Sequence, residues 1–426
     1  MLFFGTLFAE PIPKCIQNLV DDKVGARDLQ QRSGGEASHA TGMADAAGCK
    51  DWDADEVTGQ SLNALGYTIC LNMIVKNESK VIKRCLESVK PLIDYWVIVD
   101  TGSTDGTQEI VREFMKDIPG KLYERPWVNF AHNRNEALQL AKPEADYLLF
   151  IDADDILSYA PDFQRPTLDK GSYFMTIHYS GLTYARIQLV SSQLNWQWEG
   201  VVHEVLTCSE PATTDTLDGV TMVIIGGGDR SQDPEKYLKD AKALEDALEL
   251  DPENTRYTFY LAQSYRDAQM AELALKHYDQ RVALGGWDQE VFWSLYQMAI
   301  IQEDLDLPEE IISKNHSKAF LYRPIRVEPL FRLTQYYRRK ENYFLGYLIS
   351  KYGLEIQHPS DTLFVESWIY DYGLLLEYSI CAYWIGHYEE SFRACIQLLA
   401  KETLPPNVAD CVKRNLKFVL EKLPSD

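Results

Sequence analysis

Two aspartates one residue apart close an apolar run. Tyr147-Leu148-Leu149-Phe150-Ile151 leads into Asp152-Ala153-Asp154-Asp155. Carboxylates this close repel one another and need a cation or hydrogen-bond donors to compensate. Hard divalent cations such as Mg²⁺ and Mn²⁺ prefer oxygen ligands of this kind and also hold diphosphate oxygens. The same pattern serves equally as a helix N-cap followed by first-turn acids. A second apolar run, Tyr95 to Asp100, ends in the polar turn Thr101-Gly102-Ser103-Thr104-Asp105-Gly106. Two apolar runs ending alike shift the balance toward a site.

The elements that would position these acids can be read from periodicity. Thr68 to Val75, Tyr95 to Asp100, Lys121 to Glu124 and Tyr147 to Ile151 read as strands. Between them, Ser79 to Leu92, the segment carrying Ile110, Val111 and Phe114, and Ala131 to Ala141 have helical spacing. Alternation of this kind predicts βαβ units and a mainly parallel sheet. Ligands of open α/β sheets bind outside the carboxyl ends of the strands. Asn77, Glu78, Asp100, Asp152 and Asp154 all follow predicted strands and should converge on one rim. Ser172 to Tyr179, Tyr184 to Ser191 and Thr221 to Ile225 read as later strands, and Gly226-Gly227-Gly228 ends the α/β region.

From Asp233 the pattern turns helical, with a repeat. Leu261-Ala262, Tyr265, Ala274 and Tyr278 fit a tetratricopeptide unit beginning at Thr255. Further units are expected to start near 289, 327 and 372. Their small residues let helices approach, and their aromatics fill the groove. Residues 21 to 66 are rich in Gly, Ala, Ser, Asp and Gln and read as flexible. The expected organisation is a leader over 1–66, an α/β domain over 67–230 and a helical repeat domain over 231–426.

Composition narrows the function. A net charge of −22 argues against wrapping nucleic acid, which needs surplus cations to replace phosphate counterions. Eight cysteines without a CxxC spacing read as buried thiols of a reducing cytoplasm. No apolar stretch is long enough for a transmembrane helix, and no basic residue precedes Lys14 as a signal peptide would require.

Residues 68–157 resemble family 2 glycosyltransferases. The resemblance rests on Asn77-Glu78 and Leu86, on Val97 through Thr107, on Asn129-Phe130 and Arg134-Asn135, and on Phe150 through Asp154. A further block, Trp196-Gln197-Trp198-Glu199-Gly200-Val201-Val202-His203-Glu204, resembles a subgroup that couples this domain to tetratricopeptide repeats, which includes bacterial peptide S-glycosyltransferases. The resemblance implies an α/β GT-A nucleotide-diphospho-sugar transferase domain followed by an all-α tetratricopeptide-like repeat domain. It also implies roles. Asp100 would accept a hydrogen bond from the nucleotide base, usually uracil. Asn77 and Glu78 would line the nucleotide pocket. Asp152 and Asp154 would hold metal, ribose and diphosphate, and Arg134 would contact phosphate. His132 stands where small residues are usual, and Asp155 adds a third acid of open role.

Inverting transfer needs a base opposite the leaving diphosphate. Glu204 is the candidate, with Asp155 the alternative. His203 is either a third metal ligand or a packed histidine. In a strand it and Glu204 would face opposite ways, whereas a loop would relax that. Trp196 and Trp198 would share a strand face, as an acceptor floor or as core. The function expected is a metal-dependent (Mn²⁺ or Mg²⁺) inverting transferase moving a sugar from a UDP-sugar donor to a peptide, protein or glycan acceptor. The repeats would select the acceptor or form a homodimer, and donor binding is expected to lie entirely before Gly228. The rivals are a repeat scaffold with a vestigial transferase domain and a nucleotidyltransferase.

Overall fold

The computed structural model describes residues 51–53 and 66–423. The remainder of the expected leader, with Cys15 and Cys49, lies outside the described residues. Residues 51–53 form a strand, β1 (Asp51–Asp53), antiparallel to β4 (Gly120–Glu124) at one edge of a nine-stranded sheet.

The centre of that sheet follows the apolar runs. β2 (Ile69–Val75), β3 (Tyr95–Asp100), β4 and β5 (Tyr147–Phe150) are mutually parallel, in the order β4-β3-β2-β5. β2, β3 and β5 are buried on both faces, which is why their sequences run apolar with little alternation. The crossovers are helices α1 (Ile82–Val89), α2 (Thr107–Phe114) and α3 (Phe130–Ala141). Ile82, Cys85, Leu86 and Val89 of α1 and Val111 of α2 fill one side with Leu71, Met73, Trp96 and Ile98. Leu138 and Ala141 of α3 fill the other with Cys70, Val97 and Phe150.

Beyond β5 the sheet is mixed rather than mainly parallel. β8 (Leu182–Ser191) runs antiparallel to β5. β7 (Ser172–Tyr179) and β11 (Thr214–Ile224) are parallel to each other, and β6 (Asp155–Tyr159) closes the edge antiparallel to β11. β6 was not expected. It begins at the acid Asp155, and β11 supplies the pairing that makes it a strand. β9 (Trp196–Glu199) and β10 (Val205–Cys208) form a separate two-stranded sheet.

Helices then take over: α4 (Lys236–Leu250), α5 (Thr255–Asp267) and α6 (Ala271–Leu284), then α7 (Asp288–Asp304) and α8 (Glu309–Tyr322). α9 (Glu328–Arg339), α10 (Tyr343–Gly353), α11 (Leu374–Trp384), α12 (Tyr388–Leu399) and α13 (Pro406–Leu420) complete the chain. The first helices of the pairs begin at 255, 288, 328 and 374, so the repeat register read from sequence appears in the fold. The marker residues Leu261, Ala262, Tyr265, Ala274 and Tyr278 are buried. Gly346 meets its neighbour so closely that a Cβ would stand 2.8 Å from Cys381 Sγ. The longer third interval is filled by a loop anchored on buried Arg326. That guanidinium pairs with Glu328 and Asp361 and donates to the carbonyls of Leu363 and Phe364. Such full pairing offsets the cost of burying the charge.

By contacts the chain forms two compact units. One holds the sheet and the helices as far as Ser294, the other the helices from Leu295 onward. Helices α4 to α6 therefore group with the sheet, although the change to helix falls earlier in the sequence.

Candidate active site

The first wall of the site is a pair of interlocked loops at the ends of β2 and β3, which are in register at Val75 and Asp100. Asn77 has a left-handed backbone, φ 57°. Its amide N–H donates to Ser103 Oγ (2.8 Å), and its side-chain oxygen accepts from the Thr104 amide (2.9 Å). The Glu78 amide donates to Thr107 Oγ1 and the Ser79 amide to Asp105 Oδ2. Burial works against ionising Asp105, but hydrogen bonds from Thr107 and Ser79 hold its pKa at about 2. Asn77 is thus a brace of the turn.

Asp100, at the tip of β3, is only 1% exposed. Its Oδ1 accepts from the amides of Gly102 (2.9 Å) and Ser103 (2.8 Å) and from Gln108 Nε2 (3.1 Å). Its Oδ2 is buried without a hydrogen-bond partner. A carboxylate fixed through one oxygen, with the other buried and unpartnered, has acceptor capacity to spare.

The second wall follows β5. Asp152 Oδ1 accepts from Arg134 Nη2 of α3 at 2.7 Å. Desolvation opposes the Asp152 charge, weakly for a side chain 40% exposed, and Arg134, Arg186 and Arg230 hold its pKa below the ordinary value. Asp154 is used differently. Its Oδ2 accepts from the Gly228 amide (3.2 Å), and its carbonyl accepts from Arg84 Nη2 (2.8 Å). The Glu78 carboxylate approaches the same glycine: a Cβ on Gly228 would lie 3.0 Å from both Asp154 Oδ2 and Glu78 Oε2. Burial and the neighbouring Asp154 push Glu78 up to about 7, and Glu78 Oε2 has no partner. Asp155 is buried at the start of β6. Desolvation, then Asp152 and Asp154, raise it to about 8.

The third wall is the β9–β10 hairpin. Asn135, next to Arg134 on α3, clips it in place. Its Nδ2 donates to the Trp198 carbonyl (2.9 Å), and its Oδ1 accepts from the Trp198 amide (2.8 Å). Trp196 and Trp198 are both core residues, packed with Leu138, Phe150 and Val190. Of the two readings for this pair, the structure supports core. Trp198 also carries the Arg134 guanidinium at 5.2 Å from its ring. Residues 200–204 form a loop, with Gly200 at φ 118° and His203 at φ 54°. The strand geometry that would set His203 and Glu204 on opposite faces is absent. Glu204 Oε2 lies 3.7 Å from Arg134 Nε, its side chain is 9% exposed, and its Oε1 has no partner. Burial raises its pKa, against the pull of Arg134.

His203 stacks on Tyr260 of α5, centroids 4.2 Å apart and planes at 11°. Its carbonyl accepts from Arg256 Nη2 at 2.8 Å. Burial and the cations Arg230, Arg256, Lys236 and Arg186 push its pKa down to about 3. The residue itself is open to solvent, so the cations are the firmer cause. Four positive charges around an imidazole oppose a divalent cation there. Among the described residues, no three acidic, histidine or cysteine side chains form a group able to hold a metal. Asp152, Asp154 and His203 are therefore not one ligand set in this structure. Two acids, Asp154 and Glu78, do converge.

Sequence reasoning missed Arg186, Arg230, Arg256 and Tyr260. Arg256 and Tyr260 sit in a helix whose spacing signals repeat packing, so nothing marked them as site residues. Gln263, farther along α5, is buried, because the face of α5 that carries it packs inward.

The family model for glycosyl transferase family 2 matches residues 70–165. Over 228 residues the chain is 30% identical to the SPbeta prophage-derived glycosyltransferase SunS of Bacillus subtilis (strain 168), covering 49% of this chain and 53% of that protein. It is 37% identical over 97 residues to a TPR repeat-containing protein of Synechococcus elongatus, covering 22% and 23%. Among solved structures, S. aureus TarS 1–349 in complex with UDP-GlcNAc aligns at 13% identity and a TM-score of 0.27, covering 52% of this chain and 82% of that one. The chain spans about half the length of the SunS proteins it matches. The first two walls, from Asn77 through Asp154, thus lie within residues 70–165, which match the glycosyl transferase family 2 model, while the third wall, the β9–β10 hairpin, lies beyond them.

Proposed function

We propose that this chain is an inverting glycosyltransferase that moves a sugar from a UDP-sugar to a peptide or protein acceptor. The observation that carries the reading is Arg134. One guanidinium from α3 touches Asp152 beyond β5 and Glu204 in the hairpin loop. It ties the acid that faces the donor to the acid that can act as base.

Asp100 Oδ2 accepts the N3–H of uracil. A monoanionic acceptor held by three donors suits that edge, and the buried setting penalises bases that offer a second acceptor there. Asp152, oriented by Arg134, faces the ribose and the sugar. Glu204 takes the proton of the acceptor as its nucleophilic atom attacks the anomeric carbon. The bond from that carbon to the diphosphate oxygen breaks, and the diphosphate leaves with the electron pair. The raised pKa of Glu204 strengthens it as a base. Asp155 at about 8 keeps its proton near neutral pH, and its burial removes it from an acceptor, so it is the weaker candidate.

A divalent cation fits beside Asp154 and Glu78. Their carboxylates converge, Glu78 Oε2 is unpartnered, and both groups repel until a positive charge enters. Mg²⁺ and Mn²⁺ are commonly held by one or two carboxylates, with substrate phosphates completing the shell. Bound there, the ion supplies charge neutralisation on the leaving diphosphate. Six described cysteines are free thiols, which supports a reducing, cytoplasmic setting.

A thermal-shift screen of nucleotide sugars with and without Mn²⁺ tests the donor class. UDP-sugars should raise the transition by mass action, and Asp100→Ala should abolish the rise. A rise with adenine or guanine nucleotides alone would replace the uracil assignment.

A further inference from the structure

The repeats begin with a helix that reaches the site. Arg256 and Tyr260 lie one turn apart on α5. Tyr260 stacks on His203, and Arg256 lies over the Tyr260 ring at 4.8 Å while donating one N–H to the His203 carbonyl. A guanidinium has five N–H donors, so most of its fork is available for another acceptor. Arg186 on β8 and Arg230, in the short 3₁₀ turn Asp229–Gln232, act on both Asp152 and His203. Arg230 lies over the Phe130 ring at 4.3 Å and pairs with Asp240. Arg186, Lys236 and Arg256 form no close ion pair among the described residues, although Asp155, Asp240 and Glu290 respectively act on them. Asp240 and Glu290 offset part of this positive charge, and the remainder leaves mutual repulsion among the guanidinium groups. A dianionic ligand would relieve it.

We propose that α5 completes the donor site: Arg256, steadied by Tyr260 and flanked by Arg186 and Arg230, receives the diphosphate of the nucleotide sugar. This rests on the reading of the chain as a nucleotide-sugar transferase. It departs from the expectation that donor binding lies wholly before Gly228. Arginine suits the role because its planar fork matches phosphate oxygens bidentately. The leaving group gains charge as the glycosidic bond breaks, so these cations stabilise the departing diphosphate more than the intact donor. Because Arg256 belongs to the first repeat pair, acceptor engagement on the repeats has a direct physical route to the leaving group.

Calorimetric titration of the full-length protein with uridine, UDP and pyrophosphate, comparing wild type with Arg256→Ala and Arg256→Gln, tests this. Gln can still donate to the His203 carbonyl but carries no charge, so it separates loop support from anion binding. The expected result is uridine affinity within about twofold of wild type, with UDP and pyrophosphate each weakened about tenfold or more in both variants. Unchanged UDP affinity would overturn the proposal. So would equal weakening of uridine and UDP, which marks Arg256 as a structural staple. If wild type binds pyrophosphate through Arg256 but no uridine, the anion site stands and the UDP-donor reading falls. If it binds neither, both fall.

Discussion

Replacing Glu204 by Gln should separate chemistry from binding and stability, because the three depend on different features of one side chain. The substitution keeps shape and volume but removes the proton acceptor. Loss of a general base costs about 100- to 10,000-fold in rate. The lower bound is ~2.7 kcal/mol of barrier. Donor affinity should persist, since Arg134 keeps its 2.7 Å hydrogen bond to Asp152. Stability should move the other way. Burial raises the Glu204 pKa, so the folded state holds the proton more tightly than the unfolded chain does. Stability from this group is therefore greatest below the unfolded pKa and declines as pH rises through the folded one. Gln has no such decline, so the variant should match wild type in acid and equal or exceed it near pH 8. The assay is UDP release from a saturating UDP-sugar with water as acceptor, over a pH series. Wild type should rise to a plateau with an apparent pKa above that of an ordinary glutamate, and the variant should be slow and flat. Near-normal turnover would place the base elsewhere. Loss of donor binding together with turnover would make Glu204 a structural partner of Arg134.

Three further outcomes follow from the site and core. Asp154→Ala should abolish turnover and the Mn²⁺-dependent gain in UDP affinity, whereas Asp152→Ala should weaken UDP with or without metal; full wild-type activity in EDTA would contradict the metal assignment. Asp155→Asn should flatten the pH dependence of stability. The raised pKa of about 8 makes wild type lose stability as pH climbs from near 4 to near 8, so chemical denaturation at pH 5 and pH 8 should show the variant gaining relative to wild type, by up to about 1.4 kcal/mol per pH unit. Gly120→Ala should destabilise the α/β unit by about 1–3 kcal/mol, because a Cβ there overlaps the buried Trp96 ring; an unchanged denaturation midpoint would show that the indole can shift.

The legible parts of this molecule are those set by local pattern. Buried parallel strands advertise themselves as continuous apolar runs, so the acids after β3 and β5 were found with their register. The repeat helices advertise small and aromatic residues at fixed spacing, and their starts fell within two residues of 255, 289, 327 and 372. What sequence left hidden depends on long-range pairing. β6 exists because β11 pairs with it. The turning of the sheet at β8 carries no local mark. The division of labour between the two aspartates also escaped, because it is made by Arg134 on one side and by Gly228 with Glu78 on the other. Arg256 and Tyr260 were invisible as site residues for the same reason: only the fold brings α5 against His203.

The identity of the released nucleotide tests the central claim most directly. The full-length protein is incubated with UDP-sugars and Mn²⁺, and the products are resolved chromatographically. The account predicts UDP and free or transferred sugar, produced by wild type and not by Asp154→Ala. Release of pyrophosphate or a sugar phosphate with UMP, or no cleavage of any UDP-sugar while binding is intact, would contradict it.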